Sequence, residues 1–250
     1  MIELVHIPYS PWSEKARWAL DVARLGYRSR YYAPVVDEPA LRWRLRKLRG
    51  NVSAPVLFVD GRAIADSFDI ARYAAMNGDH SLIPSGSESD VAAWNALSEV
   101  ALASGRALSL ERVLKEPSAL RELVPTALRG KLGKVGVKLA ALGVRRTMRK
   151  YRAQGMTSAE HLATLVDALE RLRAGLAGRA TLLASGFSYA DITMAQVLAF
   201  VQPPDRGLKL GAGNRQAYAE PGLADRFPDL VAWRDALYAR HRGESQAIRG

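Results

Sequence analysis

A mixed α/β unit of order βαβαββα, followed by a unit built only of helices, is the architecture this chain predicts. Three observations lead there. Asp60-Gly61 sits between two β-rich runs, Pro55–Val59 and Arg62–Ala65. Both central residues of a tight hairpin turn need positive φ, and an Asp-Gly pair accepts it. Asn77–Glu88, crowded with Gly, Ser, Asp and Pro, reads as a linker. Beyond it the apolar pattern is helical throughout. An α/β block followed by helices means two packed units, expected at residues 1–78 and 88–250.

Each element follows from its local pattern. Ile2–Ile7 alternates weakly, as a short strand does. Pro11 opens a helix with Trp12, Ala16, Ala19, Leu20 and Ala23 on one side and Lys15 and Arg24 on the other, ending near Gly26. Tyr27–Val36 is a second strand, Pro39–Leu48 a basic helix, and Ser67–Met76 a third helix after the hairpin. The second unit carries helical periodicity over Ser89–Lys115, Ala119–Ala153, Ser158–Ala177, Tyr189–Val201 and Leu230–Arg240. No internal repeat or low-complexity tract interrupts it.

The composition narrows the chemistry. Hydrophobic residues make up 48% and charged residues 24% of 250, ordinary values for a globular protein. No apolar run approaches the roughly 20 residues that span a bilayer, and the start, Met1-Ile2-Glu3-Leu4-Val5-His6, has no basic or apolar leader. A cytoplasmic location is the expectation. There is no cysteine, hence no disulfide, no thiolate nucleophile and no cysteine-held metal. The four histidines, His6, His80, His161 and His241, include no i, i+4 pair, so the expectation is no metal site. Thiol chemistry, if present, uses a thiol that a ligand brings.

Four landmarks in order carry a family resemblance. Ser10-Pro11-Trp12-Ser13-Glu14-Lys15-Ala16-Arg17-Trp18-Ala19-Leu20 resembles the first strand–helix junction of glutathione S-transferases. Ser53-Ala54-Pro55-Val56-Leu57 is similar to the segment holding the cis-proline of thioredoxin-like folds, and Asp66-Ser67 to the acidic–Ser pair that grips the γ-glutamyl end of glutathione. Ser188-Tyr189-Ala190-Asp191 resembles the capping motif of a core helix in the family's second domain. The resemblance implies a thioredoxin-like N-terminal domain, a helical-bundle C-terminal domain, glutathione as co-substrate, a small hydrophobic or electrophilic substrate as partner and a homodimer.

It also implies roles. Ser10, before Pro11, matches the activating residue of serine-type members and is expected to donate a hydrogen bond to the glutathione thiolate. Tyr9 and Ser13 are the alternatives. A cis Ala54–Pro55 bond would present the Ala54 backbone to the peptide of glutathione, while Asp66 and Ser67 would hold its γ-glutamyl ammonium and carboxylate. The family more usually has Glu where Asp66 stands. Arg46 and Lys47 are nearby candidates for its glycine carboxylate. The residues alone also allow plain structural readings. Ser10 with Pro11 is a favoured helix start, Asp66-Ser67 also precedes a helix, and Ser188 with Asp191 forms a capping box assigned to stability.

The net charge of +11 is concentrated in one segment. Arg112–Arg152 contains twelve basic residues against Glu116 and Glu122, and Arg42, Arg44, Arg46, Lys47 and Arg49 form a second cluster. Solvated helical faces would explain it; so would an anionic membrane surface as partner. With Tyr151 the lone aromatic in the long segment, specific nucleic-acid binding lacks its stacking residues. Two functions follow: a glutathione-dependent enzyme acting on a small electrophile, or a non-catalytic module of the same fold docking through its basic helices.

Overall fold

The computed structural model describes residues 1–34, 36–124, 126–151, 155–243 and 245–248, with side chains 126–128 excepted. The N-terminal elements are β1 (Ile2–His6), α1 (Pro11–Val22), β2 (Tyr27–Tyr31), α2 (Glu38–Arg44), β3 (Val56–Val59), β4 (Arg62–Ala65) and α3 (Ser67–Asn77). They realise the predicted βαβαββα order. The Asp60-Gly61 turn has φ of 47° and 82° at its two residues, as a tight hairpin demands.

Sheet register brings three chain segments to one edge. β1 runs parallel to β2 and antiparallel to β3, with Val5 opposite Val56; β3 pairs antiparallel with β4, with Val56 opposite Ala65. The end of β1, the start of β3 and the end of β4 therefore lie side by side. Pro55 and Asp66 adjoin two of those ends directly, and Ser10 follows the end of β1 by four residues.

The helical part comprises α4 (Glu88–Lys115), α5 (Pro117–Leu123), α6 (Thr126–Lys150), α7 (Ser158–Leu176), α8 (Tyr189–Val197) with a 3-10 turn at Leu198–Phe200, α9 (Ala212–Tyr218), α10 (Pro221–Arg226) and α11 (Pro228–His241). α8 is buried along its whole length. Its start is fixed by Asp191, which accepts from the Ser188 amide at 2.8 Å, the Ser188 hydroxyl at 3.0 Å and the Leu182 amide at 2.8 Å. α4 crosses beside it, and Gly105 is required there: a Cβ would stand 2.4 Å from the Phe200 ring. One core cluster runs through both parts, from Leu4, Trp18, Leu20 and Ile70 to Leu102, Leu169, Ile192 and Phe200.

Several boundaries differ from expectation. The single basic helix expected at 119–153 is two, because Val124 precedes a proline and takes extended φ −70°, ψ 129°; Arg152 and Ala153 lie outside the described residues. α6 is itself kinked at Gly133, φ 43°. β2 stops at Tyr31, and Val35 is not described. α9 and α10 have six or seven residues each, too short to show a helical repeat. The chain end adds a strand, β5 (Ala247–Ile248), parallel to β2, so the sheet reads β4-β3-β1-β2-β5.

His6, at the end of β1, is a buried histidine whose Nε2 lies 2.7 Å from the Ser29 hydroxyl. Burial, then the nearby Arg17 and Lys209 charges, lowers its pKa from 6.5 to about 3. The unfolded chain therefore binds the proton between those values and the folded one does not. Stability is full above pH 6.5 and falls as pH drops toward 3. Melting temperature should already decline between pH 6.5 and about 5, above the ordinary carboxylate range. His6→Gln should flatten that slope; an unchanged slope would mean another group titrates.

Candidate functional site

At the edge where β1, β3 and β4 end, Ser10 occupies the N-cap position of α1 with extended φ −92°, ψ 126°. Its backbone is engaged: its amide donates to Ile7 O at 3.1 Å and its carbonyl accepts from Glu14 N at 3.0 Å. Its hydroxyl makes no capping bond. The side chain thus stands at a helix N-terminus with positive potential and no local partner, a position suited to an anion.

The two alternatives are placed differently. Ser13 is fully buried and its Oγ accepts from the Ile7 amide at 3.0 Å. Tyr9 is desolvated, which pushes its phenol up to about 12, and its carbonyl accepts from the Tyr218 hydroxyl at 3.3 Å.

Ala54–Pro55 is a cis peptide. Asp66 adopts φ 94° and caps α3, one carboxylate oxygen accepting from Phe68 N at 2.7 Å. The residue is exposed, so its second oxygen faces outward. Ser67 is buried, and its hydroxyl, next to the buried Tyr189 hydroxyl, has no regular hydrogen-bond partner. An orphaned hydroxyl, a free carboxylate oxygen and two helix starts at one edge fit an amino-acid headgroup. Arg46, at φ 52°, and Lys47 are exposed on the loop after α2, with no side-chain partner among the described residues.

Beneath this edge lies a polar network that sequence reading missed. Lys15 is completely buried. Its Nζ donates to Glu99 Oε1 at 2.6 Å, Asn95 Oδ1 at 2.9 Å and Ser98 Oγ at 3.4 Å. Burial draws the Lys15 pKa down, while Glu99 and Asp66 oppose that shift. Glu99 Oε2 also accepts from the Trp12 indole at 2.7 Å, and Ser98 meets Thr193 of α8 at 2.5 Å. The start of α1 is thereby fastened to α4 and α8.

Arg106 was missed as well. Its guanidinium lies 4.6 Å from the Trp12 ring and 3.9 Å from the Tyr151 ring. It makes no ion pair among the described residues, and burial lowers its pKa despite the neighbouring Tyr151, Glu99 and Tyr218. The end of α6 reaches the same region: Lys150 Nζ donates to the Val52 carbonyl, and Arg146 pairs with Glu38 at 3.1 Å. A cavity of about 340 Å³ lies elsewhere, lined by Arg24, His80, Phe187 and His241 among others. None of the candidate residues lines it. The signal for Lys15, Glu99 and Arg106 is tertiary: each becomes a site residue only through elements distant in sequence.

Two family models match the chain: "Glutathione S-transferase, N-terminal domain" over residues 9–76 and "Glutathione S-transferase, C-terminal domain" over residues 155–236. No curated protein sequence matches significantly. Among solved structures, the glutathione S-transferase of Methylobacillus flagellatus KT, solved with glutathione bound, is 17% identical, with a TM-score of 0.60 and all of both chains covered. The β-etherase LigF of Sphingobium sp. strain SYK-6 is 20% identical, TM-score 0.61, covering 96% of this chain and 95% of that one. A glutathione S-transferase of Ceriporiopsis subvermispora in complex with glutathione is 18% identical, TM-score 0.61, covering 98% and 99%. At these identities the structures speak for the fold, and the two models together match more than half of the sequence. The chain belongs to the glutathione S-transferase superfamily.

Proposed function

We propose that this protein is a glutathione-dependent transferase that activates the glutathione thiol for attack on a small electrophile. The observation that carries the reading is the convergence at one sheet edge of the uncapped Ser10 hydroxyl, the Ala54–Pro55 peptide, and Asp66 with the orphaned Ser67 hydroxyl. In this reading Asp66 pairs with the γ-glutamyl ammonium, and Ser67 with the α3 amides receives its carboxylate. Ala54 pairs its backbone with the peptide. Ser10, whose hydroxyl makes no capping bond at the start of α1, donates to the sulfur, while Ser13 is fully buried beneath it. The thiolate attacks the electrophilic carbon; the C–S bond forms, and the leaving group departs with its electron pair.

The electrophile belongs beside Tyr9, Trp12, Arg106 and Tyr218, where aromatic faces and one cation converge. The domains are taken as 1–78 and 88–250, the protein as a cytoplasmic homodimer. That solved relatives hold glutathione supports the co-substrate. The presence of Ser10, Pro55, Asp66 and Ser67 together at this edge favours the enzyme reading over the non-catalytic alternative.

Calorimetric titration with reduced glutathione tests the reading: saturable binding should appear between micromolar and low millimolar concentrations. Asp66→Ala and Ser67→Ala should each weaken it about tenfold, the loss of one charge-assisted hydrogen bond. No binding by folded wild-type protein up to about 10 mM, roughly 2.7 kcal/mol of affinity, would rule it out.

A further inference from the structure

We propose that the exposed face of α6 is a docking surface for an anionic lipid bilayer, on which the helix lies parallel to the membrane. The helix has two apolar stripes, and the fold uses only one. Val137, Ala140, Ala141, Val144 and Met148 pack against Val113, Leu120 and Ala217, which secures the helix to α4, α5 and α9. The second stripe is Val135, Leu139 and Leu142, at i, i+4 and i+7, and these residues are 59%, 55% and 55% exposed. Nothing in the fold requires a second apolar row on the solvent side of a helix already packed.

Cations border that row. Lys134, Lys138, Arg145 and Arg149, at i, i+4, i+11 and i+15, are all exposed and have no acidic partner among the described residues. No acidic residue occurs between Glu122 and Glu160. Large apolar side chains flanked by Lys and Arg on one face mark helices that lie in a membrane interface. Each cation near an anionic leaflet adds roughly fivefold in affinity.

The neighbouring element extends the surface. α6 is tied to α2 and its following loop by Arg146–Glu38 and Lys150–Val52. There Trp43 is 82% and Leu48 95% exposed, among exposed Arg46, Lys47 and Arg49. Tryptophan favours the headgroup level of bilayers. Each side chain of the apolar row is more than half exposed, which suits a fluid planar surface better than a bound peptide. Tyr151, the one aromatic of the segment, is stacked on Arg106 and offers nothing to bases. No helix among the described residues is long and apolar enough to cross a membrane, which suits attachment from the side. The edge that holds Ser10, Pro55 and Asp66 plays no part in this inference.

The test is co-sedimentation with vesicles of phosphatidylcholine containing about 30% phosphatidylglycerol, at about 0.1 M salt. Wild-type protein should bind these vesicles and not pure phosphatidylcholine. Replacing Lys134, Lys138, Arg145 and Arg149 together by Glu should cost at least about a hundredfold. The triple variant Val135→Ser, Leu139→Ser, Leu142→Ser keeps every charge and should lose roughly tenfold, its residual binding vanishing with added salt. Circular dichroism and melting curves verify that both variants remain folded. Three results would each overturn the proposal: no binding by wild type, a serine variant that binds as well as wild type, or displacement of bound protein by duplex DNA held more tightly than the vesicles.

Discussion

Ser10→Ala should lower kcat/KM for conjugation of glutathione about fifty- to a hundredfold near pH 6.5 and leave glutathione affinity within a few fold. A free thiol ionises near 8.5, and holding it two units lower takes about 2.7 kcal/mol. In the proposed mechanism the hydroxyl left uncommitted by the helix it begins would supply most of that energy, a hydrogen bond to a charged group being worth about 1.5–3 kcal/mol, with the α1 amides adding the remainder. Removing the hydroxyl leaves the binding contacts of the rest of the tripeptide untouched but returns the sulfur toward its solution behaviour. The informative readout is the pH dependence of kcat/KM, whose lower limb should move up by about two units. If that limb stays in place while Tyr9→Phe removes activity, the donor is the tyrosine.

Glu99→Leu should destabilise the fold by about 2–4 kcal/mol. The cost arises at Lys15, whose amine is completely buried and would lose the one ion-pair partner it has among the described residues. Breaking a buried pair by removing one side commonly costs about 3–5 kcal/mol, and the range is lowered here because the Glu99 side chain is 35% exposed. In a chain of this size that is a drop in melting temperature of roughly 5–15 °C. The double variant Lys15→Met, Glu99→Leu removes both charges and should recover most of the loss. Chemical denaturation of the four proteins forms the cycle. A single variant within about 0.5 kcal/mol of wild type would mean that Asn95 and Ser98 satisfy Lys15 unaided.

What could be read before folding was whatever has a local cause. Asp60-Gly61 marked its hairpin because the turn dihedrals are set by those two residues, and Ser188 with Asp191 marked the start of α8 because a capping box closes within four positions. Ser10, Pro55 and Asp66 each stand beside a helix start or strand start, and their site roles were implied by the family resemblance. The network under them did not stand out. Lys15 reads as the polar side of an amphipathic helix, and only the approach of α4, some 84 residues later, turns it into a buried ion. Arg106 is likewise one more cation on a long helix until Trp12 and Tyr151 close around it. The expected solvent face of α1 was wrong at Lys15 because a second layer covers it. The short helices α9 and α10 and the strand β5 owe their form to neighbours distant in sequence, so no periodicity announces them.

The pairing of β5 with β2 bears on how the protein is made. Arg242 bonds Glu14 at 2.7 Å and Asp21 at 2.8 Å, and the Gln246 amide bonds Asp21 at 2.8 Å, all on the first helix. A nascent chain elongating at about 5–20 residues per second emerges with its beginning first. The first sheet then waits on the order of ten to forty seconds for the residues that finish its edge. During that interval Asp21 lacks its Arg242 partner, Glu14 has Arg17 alone, and the outer rim of β2 is bare. The first sheet of the fold to be made is therefore completed only when residues more than 180 positions further on have emerged.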